Sequence, residues 1–324
     1  MIPLLRVNRK SLITAAVGLV AGCGATGAYL QLSGRPLNTV SADGVIKTPA
    51  SDANNPNNVI QNHYHFNDQQ SYTTAGNLMT SSNGYKWDPN WDKRDPKSLV
   101  EKPINSDDLI DDYNEKLEKA KPVATRHLIL IRHGQYNQSG ETDSLQILTP
   151  LGREQADQVG LRLKQLGHPY TRMIQSTMTR ATETAEIIGK QLANNNNNDN
   201  NIPVDSCDLI REGDPIEPIP CPDNCRSKPK EYFVSGARIE SAFRKYFHRS
   251  DPQQSADSYD ILVCHANVIR YFVLRALQLP PEAWLNFTLN NCSITWITIY
   301  PKGQVVVKSV GDIGHMPPNK MSLY

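Results

Sequence analysis

The residues with the clearest chemistry form the tripeptide Arg132-His133-Gly134, which follows the apolar run 128–131. An arginine guanidinium is a planar fork that matches a phosphate group, and an imidazole nitrogen can act as a nucleophile. Gly134 allows the backbone to turn sharply beside a pocket. On its own, the tripeptide fits equally well a core strand that ends in a polar turn.

Three more polar groups, Arg180, Glu212 and His265, each come soon after a short apolar run. A carboxyl group such as that of Glu212 can donate and accept a proton during catalysis. Each of the three also has a plainer explanation as a surface group, and Arg180 could simply pair with Glu183. However, the carboxyl ends of parallel strands meet at one edge of a sheet, where open α/β sheets hold their ligands. The pattern therefore predicts that these groups and His133 share one site.

The elements that must position these groups alternate between strands and helices. Thr149 is a suitable N-cap, Pro150 suits the first turn of the helix that it opens, and Gly167 ends that helix. Strands that alternate with helices indicate a three-layer α/β/α fold with a mainly parallel central sheet. The predicted strands are 128–131, 173–174, 259–264, 292–300 and 304–310, and the predicted helices are 107–119, 150–166, 181–188, 235–248 and 268–277.

Composition limits the classes of function that the chain can have. At 324 residues, with 39% hydrophobic and 21% charged residues, it is long enough for one sizeable domain and substantial extensions. A net charge of +1 gives no electrostatic basis for binding nucleic acid. The six cysteines are too few and too scattered for a disulfide framework. Specificity for a phosphate must therefore come from a few well-placed arginines.

The first 85 residues are predicted to anchor the chain rather than to act in catalysis. Residues 1–10 are basic, and residues 11–32 carry no charged side chain, which fits a transmembrane helix. Residues 33–85 are rich in Asn, Ser, Thr, Asp and Gln and are predicted to form a flexible tether. A basic leader without acidic residues is typical of mitochondrial presequences, and a secretory signal peptide is the alternative. We therefore expect a single-pass anchor in a mitochondrial membrane.

Two tryptophans stand four residues apart in an otherwise polar segment that includes Trp87, Asp88, Asn90, Trp91 and Asp92. Exposing two indole rings to water is costly. The rings must therefore dock on the chain's own domain or insert into another subunit. The residues alone leave both arrangements open. The predicted parts of the chain are thus 1–10, 11–32, 33–85, the tryptophan segment with a linker helix at 86–120, and the main domain at 121–324.

The motifs around the predicted site resemble the histidine phosphatase, or phosphoglycerate mutase-like, superfamily. They are Arg132-His133-Gly134, residues 149–155, residues 176–180, Arg211-Glu212-Gly213 and Cys264-His265-Ala266. Within this superfamily, the chain is similar to mitochondrial serine/threonine protein phosphatases over essentially residues 85–324. This closer likeness is carried by residues 87–92, 236–240, 265–270, 289–291 and 316–318.

The resemblance implies a role for each group. His133 attacks phosphorus and holds a phosphohistidine intermediate, while Arg132, Arg180 and His265 hold the phosphoryl oxygens. Glu212 protonates the departing alkoxide and then takes a proton from water. No metal or cofactor is required. The substrates implied are phosphoproteins, and the segment from Trp87 to Asp92 is implied to join subunits into a homo-oligomer.

Two competing functions remain open at this point. In a true mutase of this superfamily, a lid-like insertion lies between the acid and the second histidine, but here the segment 213–264 is short for both scaffold and lid. The other alternative is a membrane-tethered scaffold with a vestigial pocket. The tether and the paired tryptophans suit assembly, whereas the full set of polar groups favours an enzyme.

Overall fold

The computed structural model describes residues 86–103, 110–193, 202–222 and 229–324. The predicted anchor at 11–32 and the predicted tether at 33–85 lie outside these residues. Among the described residues, no helix is both long enough and apolar enough to cross a membrane.

A mixed sheet of six strands forms the centre of the described domain. The strands are β1 (Arg126–Arg132), β2 (Tyr170–Ser176), β3 (Val204–Cys207), β4 (Ser258–Cys264), β5 (Ile294–Ile299) and β6 (Val305–Asp312), in the spatial order β3-β2-β4-β1-β5-β6. The pairs β3–β2, β2–β4 and β4–β1 are parallel, whereas β5 is antiparallel to both of its neighbours. The α/β class is thus confirmed, and the final hairpin makes the sheet mixed.

In the described residues, six α-helices accompany the sheet: α1 (Pro96–Leu99), α2 (Ile110–Lys119), α3 (Pro150–Leu166), α4 (Thr179–Ala193), α5 (Pro229–Tyr246) and α6 (Ala266–Ala276). Both predicted ends of α3 are confirmed. The Thr149 hydroxyl accepts a hydrogen bond of 3.0 Å from the Gly152 amide, and Gly167 closes the helix in the left-handed region with φ of 64°. These caps satisfy backbone groups that a helix end leaves without partners.

The side chains of β1 alternate between two hydrophobic cores, one on each face of the sheet. Leu128 and Leu130 pack into the core that contains residues of α5 and α6, whereas Ile129 and Ile131 pack into the core that contains residues of α3 and α4. All four side chains are fully buried. A strand covered on both faces has no polar face, and this explains why its sequence is a continuous apolar run.

The short apolar run that precedes Glu212 is not part of a strand. The apolar pair Leu209-Ile210 belongs to a 3-10 helix, Asp208–Ile210, and the neighbouring strand β3 ends before it. Beyond Cys207 the partner strand β2 has also ended, at the Ser176↔Cys207 pair, so the chain has no strand to join there. Ile210 is nevertheless fully buried. Its apolar side chain therefore signalled burial rather than strand structure.

Candidate active site

Two histidines meet at the carboxyl ends of β1 and β4. These strands are parallel neighbours in a register that pairs Arg132 with Cys264, so the next residue of each strand is a histidine. The His133 amide donates a 3.0 Å hydrogen bond to the Cys264 carbonyl, and the ring centroids of His133 and His265 lie 5.0 Å apart. Both rings are buried. The structure thus brings together the two histidines that the sequence predicted at one sheet edge.

Gly134 is required by a close approach of the backbone. A Cβ atom at this position would lie 2.5 Å from the Gly152 carbonyl oxygen in the first turn of α3. Gly134 is not among the residues with positive φ, so a sharp turn is not what demands glycine here. The absence of a side chain lets α3 begin directly against the loop that carries His133.

The hydrogen bonds of His133 fix its tautomer. Its Nδ1 lies 2.8 Å from the Gly134 carbonyl oxygen, which only accepts, so Nδ1 carries the proton and Nε2 keeps its lone pair. Arg180 Nε donates to this Nε2 at 3.3 Å. Burial, followed by the positive charges of Arg180 and Arg132, holds the pKa of His133 well below its ordinary value. The imidazole is therefore neutral near pH 7, as a nucleophile must be.

Two arginines present cationic groups to this ring. Arg180 lies in the first turn of α4 and is almost fully buried. Its Nη1 donates a 3.0 Å hydrogen bond to Gln146 Oε1, and its guanidinium carbon lies 4.5 Å from the centre of the Tyr136 ring. Arg132 donates from Nη1 to the Leu289 carbonyl, whereas its buried Nε has no hydrogen-bond partner among the described residues. Arg132 thus keeps donor capacity for an oxyanion.

Ser176, to which the sequence assigned no role, sets the orientation of His265. Its hydroxyl lies 2.8 Å from His265 Nε2 and accepts a 3.3 Å hydrogen bond from the Met178 amide, which leaves the hydroxyl proton for the histidine. Burial, helped by the neighbouring His133 and arginines, lowers the pKa of His265 well below its ordinary value. A neutral His265 that accepts at Nε2 carries its proton on Nδ1, which is buried and has no partner among the described residues. His265 can therefore donate from Nδ1 without being charged.

Glu212 lies on the loop after the 3-10 helix Asp208–Ile210, close enough to Arg132 and Arg180 for their charges to affect its pKa. Burial raises the pKa of its carboxyl group, while the Gly213 amide and the charges of Arg180, Arg132 and Arg270 oppose this rise. The loop is held from α5 by Arg238, whose guanidinium donates to the Arg211 carbonyl at 2.6 Å and to the Glu212 carbonyl at 3.0 Å. Local sequence patterns do not predict these hydrogen bonds, because they join residues that are far apart in the chain.

The tryptophan segment, residues 87–92, docks on the chain's own domain. Trp91 Nε1 donates a 2.9 Å hydrogen bond to the Gly303 carbonyl, and its ring lies 6.0 Å from that of Phe243 on α5. Trp87 packs against the same core. Gly303 follows the last residue of β5, which pairs with the first residue of β1. The two histidines follow the last residues of β1 and β4, so the tryptophan contact lies at the opposite edge of the sheet from them.

The polar residues of the tryptophan segment hold it in place. The Asp92 carboxylate is fully buried and accepts from the backbone amide of Arg249 at 2.8 Å, while one oxygen lies 3.3 Å from the Arg249 guanidinium. The Asp88 backbone exchanges two hydrogen bonds with the Gln278 side chain. Asn90 Oδ1 accepts from the Asp95 amide at 2.9 Å. Of the two arrangements that the sequence allowed, the single chain adopts docking on its own domain.

Comparison with known proteins matches most of the described domain to one family. A family profile described as "Histidine phosphatase superfamily (branch 1)" matches residues 128–213 and 231–312. These ranges include all five residues that the sequence placed in the site: Arg132, His133, Arg180, Glu212 and His265.

Several characterised proteins are similar to the chain over much of its length. The protein named serine/threonine-protein phosphatase PGAM5, mitochondrial, from Xenopus tropicalis is 53% identical over 239 residues, which cover 73% of this chain and 83% of the relative. The human protein of that name is 48% identical, with 73% and 80% covered, and the Caenorhabditis elegans protein is 47% identical, with 78% and 90% covered. Among solved structures, a Plasmodium falciparum phosphoglycerate mutase matches with a TM-score of 0.42 and 30% identity, covering 60% of this chain and 96% of the mutase.

Proposed function

The chain belongs to the histidine phosphatase superfamily, and from this premise we propose that it is a protein serine/threonine phosphatase that forms a phosphohistidine intermediate. The observation that carries the proposal is the state of His133, a buried neutral imidazole whose Nε2 lone pair points toward the Arg180 guanidinium. The relatives named as mitochondrial serine/threonine-protein phosphatases support the substrate class.

In the first step, Arg180 gives up its hydrogen bond to His133 Nε2 and binds a phosphoryl oxygen instead. The freed Nε2 lone pair then attacks phosphorus in line with the bond to the serine or threonine oxygen. A nitrogen–phosphorus bond forms, the phosphorus–oxygen bond breaks, and its electron pair passes to the departing oxygen, which takes the proton of Glu212. Arg132, Arg180 and the Nδ1 proton of His265 hold the three equatorial oxygens. The raised pKa of Glu212 favours the protonated carboxyl that this step needs.

In the second step, water replaces the dephosphorylated protein and attacks phosphorus. The Glu212 carboxylate takes a proton from this water, the nitrogen–phosphorus bond breaks, and phosphate leaves with His133 neutral again. Glu212 therefore acts first as an acid and then as a base. No metal or cofactor enters either step.

The proposed setting is a mitochondrial membrane, with residues 11–32 as a single-pass anchor and 33–85 as a tether. The names of the relatives support the mitochondrial part of this proposal. We expect the full-length chain to remain in the membrane fraction after carbonate extraction, and a variant lacking residues 11–32 to be released. Retention of that deletion variant in the membrane would contradict the proposed anchor.

The segment 87–92 is proposed to join copies of the chain into a homo-oligomer, through residues Trp87, Asp88, Asn90, Trp91 and Asp92. Its docking on the chain's own domain leaves both tryptophans only partly buried. An apolar surface remains that a second copy can cover. Trp91→Ala should lower the sedimentation coefficient of the protein. An unchanged coefficient would remove the motif from the interface.

The decisive test of the phosphatase compares the full-length protein with His133→Ala, and with His168→Ala as a matched control. His168 stacks on Tyr259 near the opposite edge of the sheet from His133. Phosphate release is measured from a phosphothreonine peptide and from 3-phosphoglycerate, and the latter is also assayed for isomerisation to 2-phosphoglycerate, because a mutase returns the phosphoryl group to its substrate. We expect peptide hydrolysis, and an acid-labile phosphoenzyme, in the wild type and in His168→Ala but not in His133→Ala.

Three other outcomes would refute parts of the proposal. Turnover of 3-phosphoglycerate alone would indicate a mutase-type enzyme. Turnover of neither substrate would indicate a scaffold with a vestigial pocket. Peptide hydrolysis that survives His133→Ala would remove this residue as the nucleophile.

A further inference from the structure

Arg270 belongs to the same group of charges as the proposed catalytic residues, but the two-step mechanism does not use it. It lies on α6, one turn after His265. Its Nη1 donates a 3.0 Å hydrogen bond to Asn267 Oδ1, and Asn267 Nδ2 donates at 3.0 Å to Asp214 Oδ1. This chain of contacts ties the guanidinium to the loop that also carries Glu212.

One edge of the Arg270 guanidinium makes no hydrogen bond in the described residues, and we call it the open edge in this sense. Its Nε is buried without a hydrogen-bond partner among the described residues. Of the three guanidinium nitrogens, only Nη1 makes a side-chain hydrogen bond to a described residue. The Nε and Nη2 donors together form the edge that binds a carboxylate or a phosphoryl group through two parallel hydrogen bonds. Leaving a buried charged donor without a partner costs free energy, so the arrangement requires an explanation.

Arg132 has the same arrangement within the proposed phosphoryl site. Its Nη1 also donates to a protein oxygen, the Leu289 carbonyl, and its Nε is also buried without a partner in the described residues. Two guanidinium groups near Glu212 are therefore each held by Nη1 and each keep an open Nε edge. In Arg132, the open edge has an assigned ligand in the proposed mechanism. In Arg270, it has none.

Electrostatics places Arg270 close to the site but not in an internal ion pair. Burial lowers the pKa of Arg132 and of Arg270 and raises that of Glu212. The Arg270 charge adds to the fall at Arg132 and opposes the rise at Glu212, while the Glu212 carboxylate opposes the fall at Arg270. No salt bridge joins Arg270 to Glu212. Tyr324 lies near Arg270 as well, since it opposes the fall in the pKa of Arg270, and its carbonyl oxygen accepts a 2.9 Å hydrogen bond from Gln135, two residues after His133.

The transferred phosphoryl group does not need Arg270. It has three non-bridging oxygens, which match the two arginines and the His265 donor already assigned to them. Two guanidinium groups also balance the two negative charges of a phosphate monoester. A third cation with an open fork is therefore available for a different anionic group of the substrate.

We propose that Arg270 forms a second oxyanion subsite, which selects substrates that carry another anionic group close to the phosphorylated residue. This inference rests on the proposed phosphatase function and specifies its substrate class. The second oxyanion is either the carboxylate of a neighbouring acidic residue or a second phosphoryl group. Both present paired oxygens to the Nε–Nη2 edge.

The test measures kcat/KM of the full-length protein on four substrates. These are a phosphothreonine peptide with neutral neighbours, the same peptide with a flanking glutamate, the same peptide with a flanking phosphoserine, and p-nitrophenyl phosphate. We expect the wild type to favour one or both charged peptides over the neutral peptide by about tenfold to a hundredfold. The favoured peptide identifies the source of the second oxyanion.

Two variants and a control assign this preference to Arg270. Arg270→Gln should bring the ratio between charged and neutral peptides close to one, and Arg270→Lys, which keeps the charge without the fork, should give an intermediate ratio. Arg162→Gln, a loss of one positive charge on α3, should keep the wild-type ratio. Thermal unfolding of each variant establishes that it is folded.

The possible failures are distinguishable. A wild-type ratio near one, with both peptides hydrolysed, would overturn the subsite and leave the phosphatase function standing. An equal loss on all four substrates in Arg270→Gln would mean that Arg270 binds the transferred phosphoryl group, which also overturns the proposal. Hydrolysis of p-nitrophenyl phosphate without hydrolysis of any peptide would contradict the proposed action on phosphoproteins.

Discussion

Replacing Asp92 by alanine should destabilise the protein strongly, because its carboxylate is a buried partner of a buried cation. The side chains of Asp92 and Arg249 are 0% and 1% exposed. Removing one partner of such a pair leaves a buried charge without its nearest counter-charge, at a cost of about 3–5 kcal/mol. The Asp95 carboxylate also lies 3.8 Å from the Arg249 guanidinium, but its side chain is 36% exposed, so it compensates for only a small part of this loss. For a domain of roughly 150–250 residues, each kcal/mol lowers Tm by about 2–4 °C. The expected fall in Tm is therefore about 6–20 °C.

Asp251→Ala is the matched control, because it removes another ion pair of the same segment. Asp251 pairs with Arg94 at 2.6 Å, which is shorter than the 3.3 Å of the Asp92 pair, but its side chain is 64% exposed. Exposed ion pairs contribute about 0–1 kcal/mol, so the expected fall in Tm is at most about 4 °C. If distance decided the outcome, Asp251→Ala would be the more damaging change. The reasoning predicts the reverse, because burial decides it.

Thermal unfolding followed by circular dichroism measures both variants. Equal shifts in Tm for Asp92→Ala and Asp251→Ala would refute the assigned role of burial. Repeating the comparison over a range of protein concentrations adds a second result. A destabilisation by Asp92→Ala that does not depend on concentration indicates docking within one chain, whereas one that varies with concentration indicates docking between subunits.

Four further results are expected. Glu212→Gln should slow hydrolysis of a phosphoserine peptide by about 10²–10⁴-fold but that of p-nitrophenyl phosphate much less, because nitrophenolate leaves without a proton; equal losses would remove Glu212 as the acid. In steady-state kinetics, Ser176→Ala should lower kcat about tenfold with little change in KM, because His265 loses the partner that fixes its tautomer; a change in KM alone would contradict this role. In pH–rate profiles, the alkaline limb of kcat should lie at higher pH than that of kcat/KM, because bound substrate raises the pKa of Glu212 further; coincident limbs would mean that substrate binding does not change this pKa. Finally, burial lowers the pKa of His127 to about 4. Below pH 6.5, the ordinary pKa of histidine, His127 binds a proton in the unfolded chain but not in the folded one, so acidification favours unfolding. The urea concentration at the midpoint of unfolding should therefore decrease as the pH is lowered from 6.5 to 4, and it should decrease less in His127→Gln.

The placement of the two histidines could be predicted from the sequence because it depends on local signals. Leu128–Ile131 is a continuous apolar run, as a strand buried on both faces must be. The run 261–264 has the same character, and two such strands that are parallel end at the same edge. The ends of α3 could also be predicted, because Thr149 and Gly167 make hydrogen bonds to backbone groups within about one helical turn.

Contacts between distant segments could not be predicted in this way. The hydroxyl of Ser176 reaches His265, and the guanidinium of Arg238 reaches the Glu212 carbonyl. Each contact depends on the direction in which a side chain leaves its element, and hydrophobic periodicity carries no information about that direction for a single polar residue. The open edge of Arg270 is even harder to predict from the sequence, because it is defined by which of its nitrogen atoms lack hydrogen-bond partners.

The environment of Glu212 couples substrate binding to its readiness as an acid. In the free site, burial raises the pKa of its carboxyl group, and the charges of Arg180, Arg132 and Arg270 partly cancel this rise. A bound phosphate monoester brings two negative charges against the arginines and excludes water from the site. Both effects favour the protonated carboxyl, because the cationic field weakens while desolvation increases. Substrate binding thus prepares the proton that the departing alkoxide needs. When the dephosphorylated protein leaves and water enters, the balance shifts back toward the carboxylate, which is the base that the second step requires.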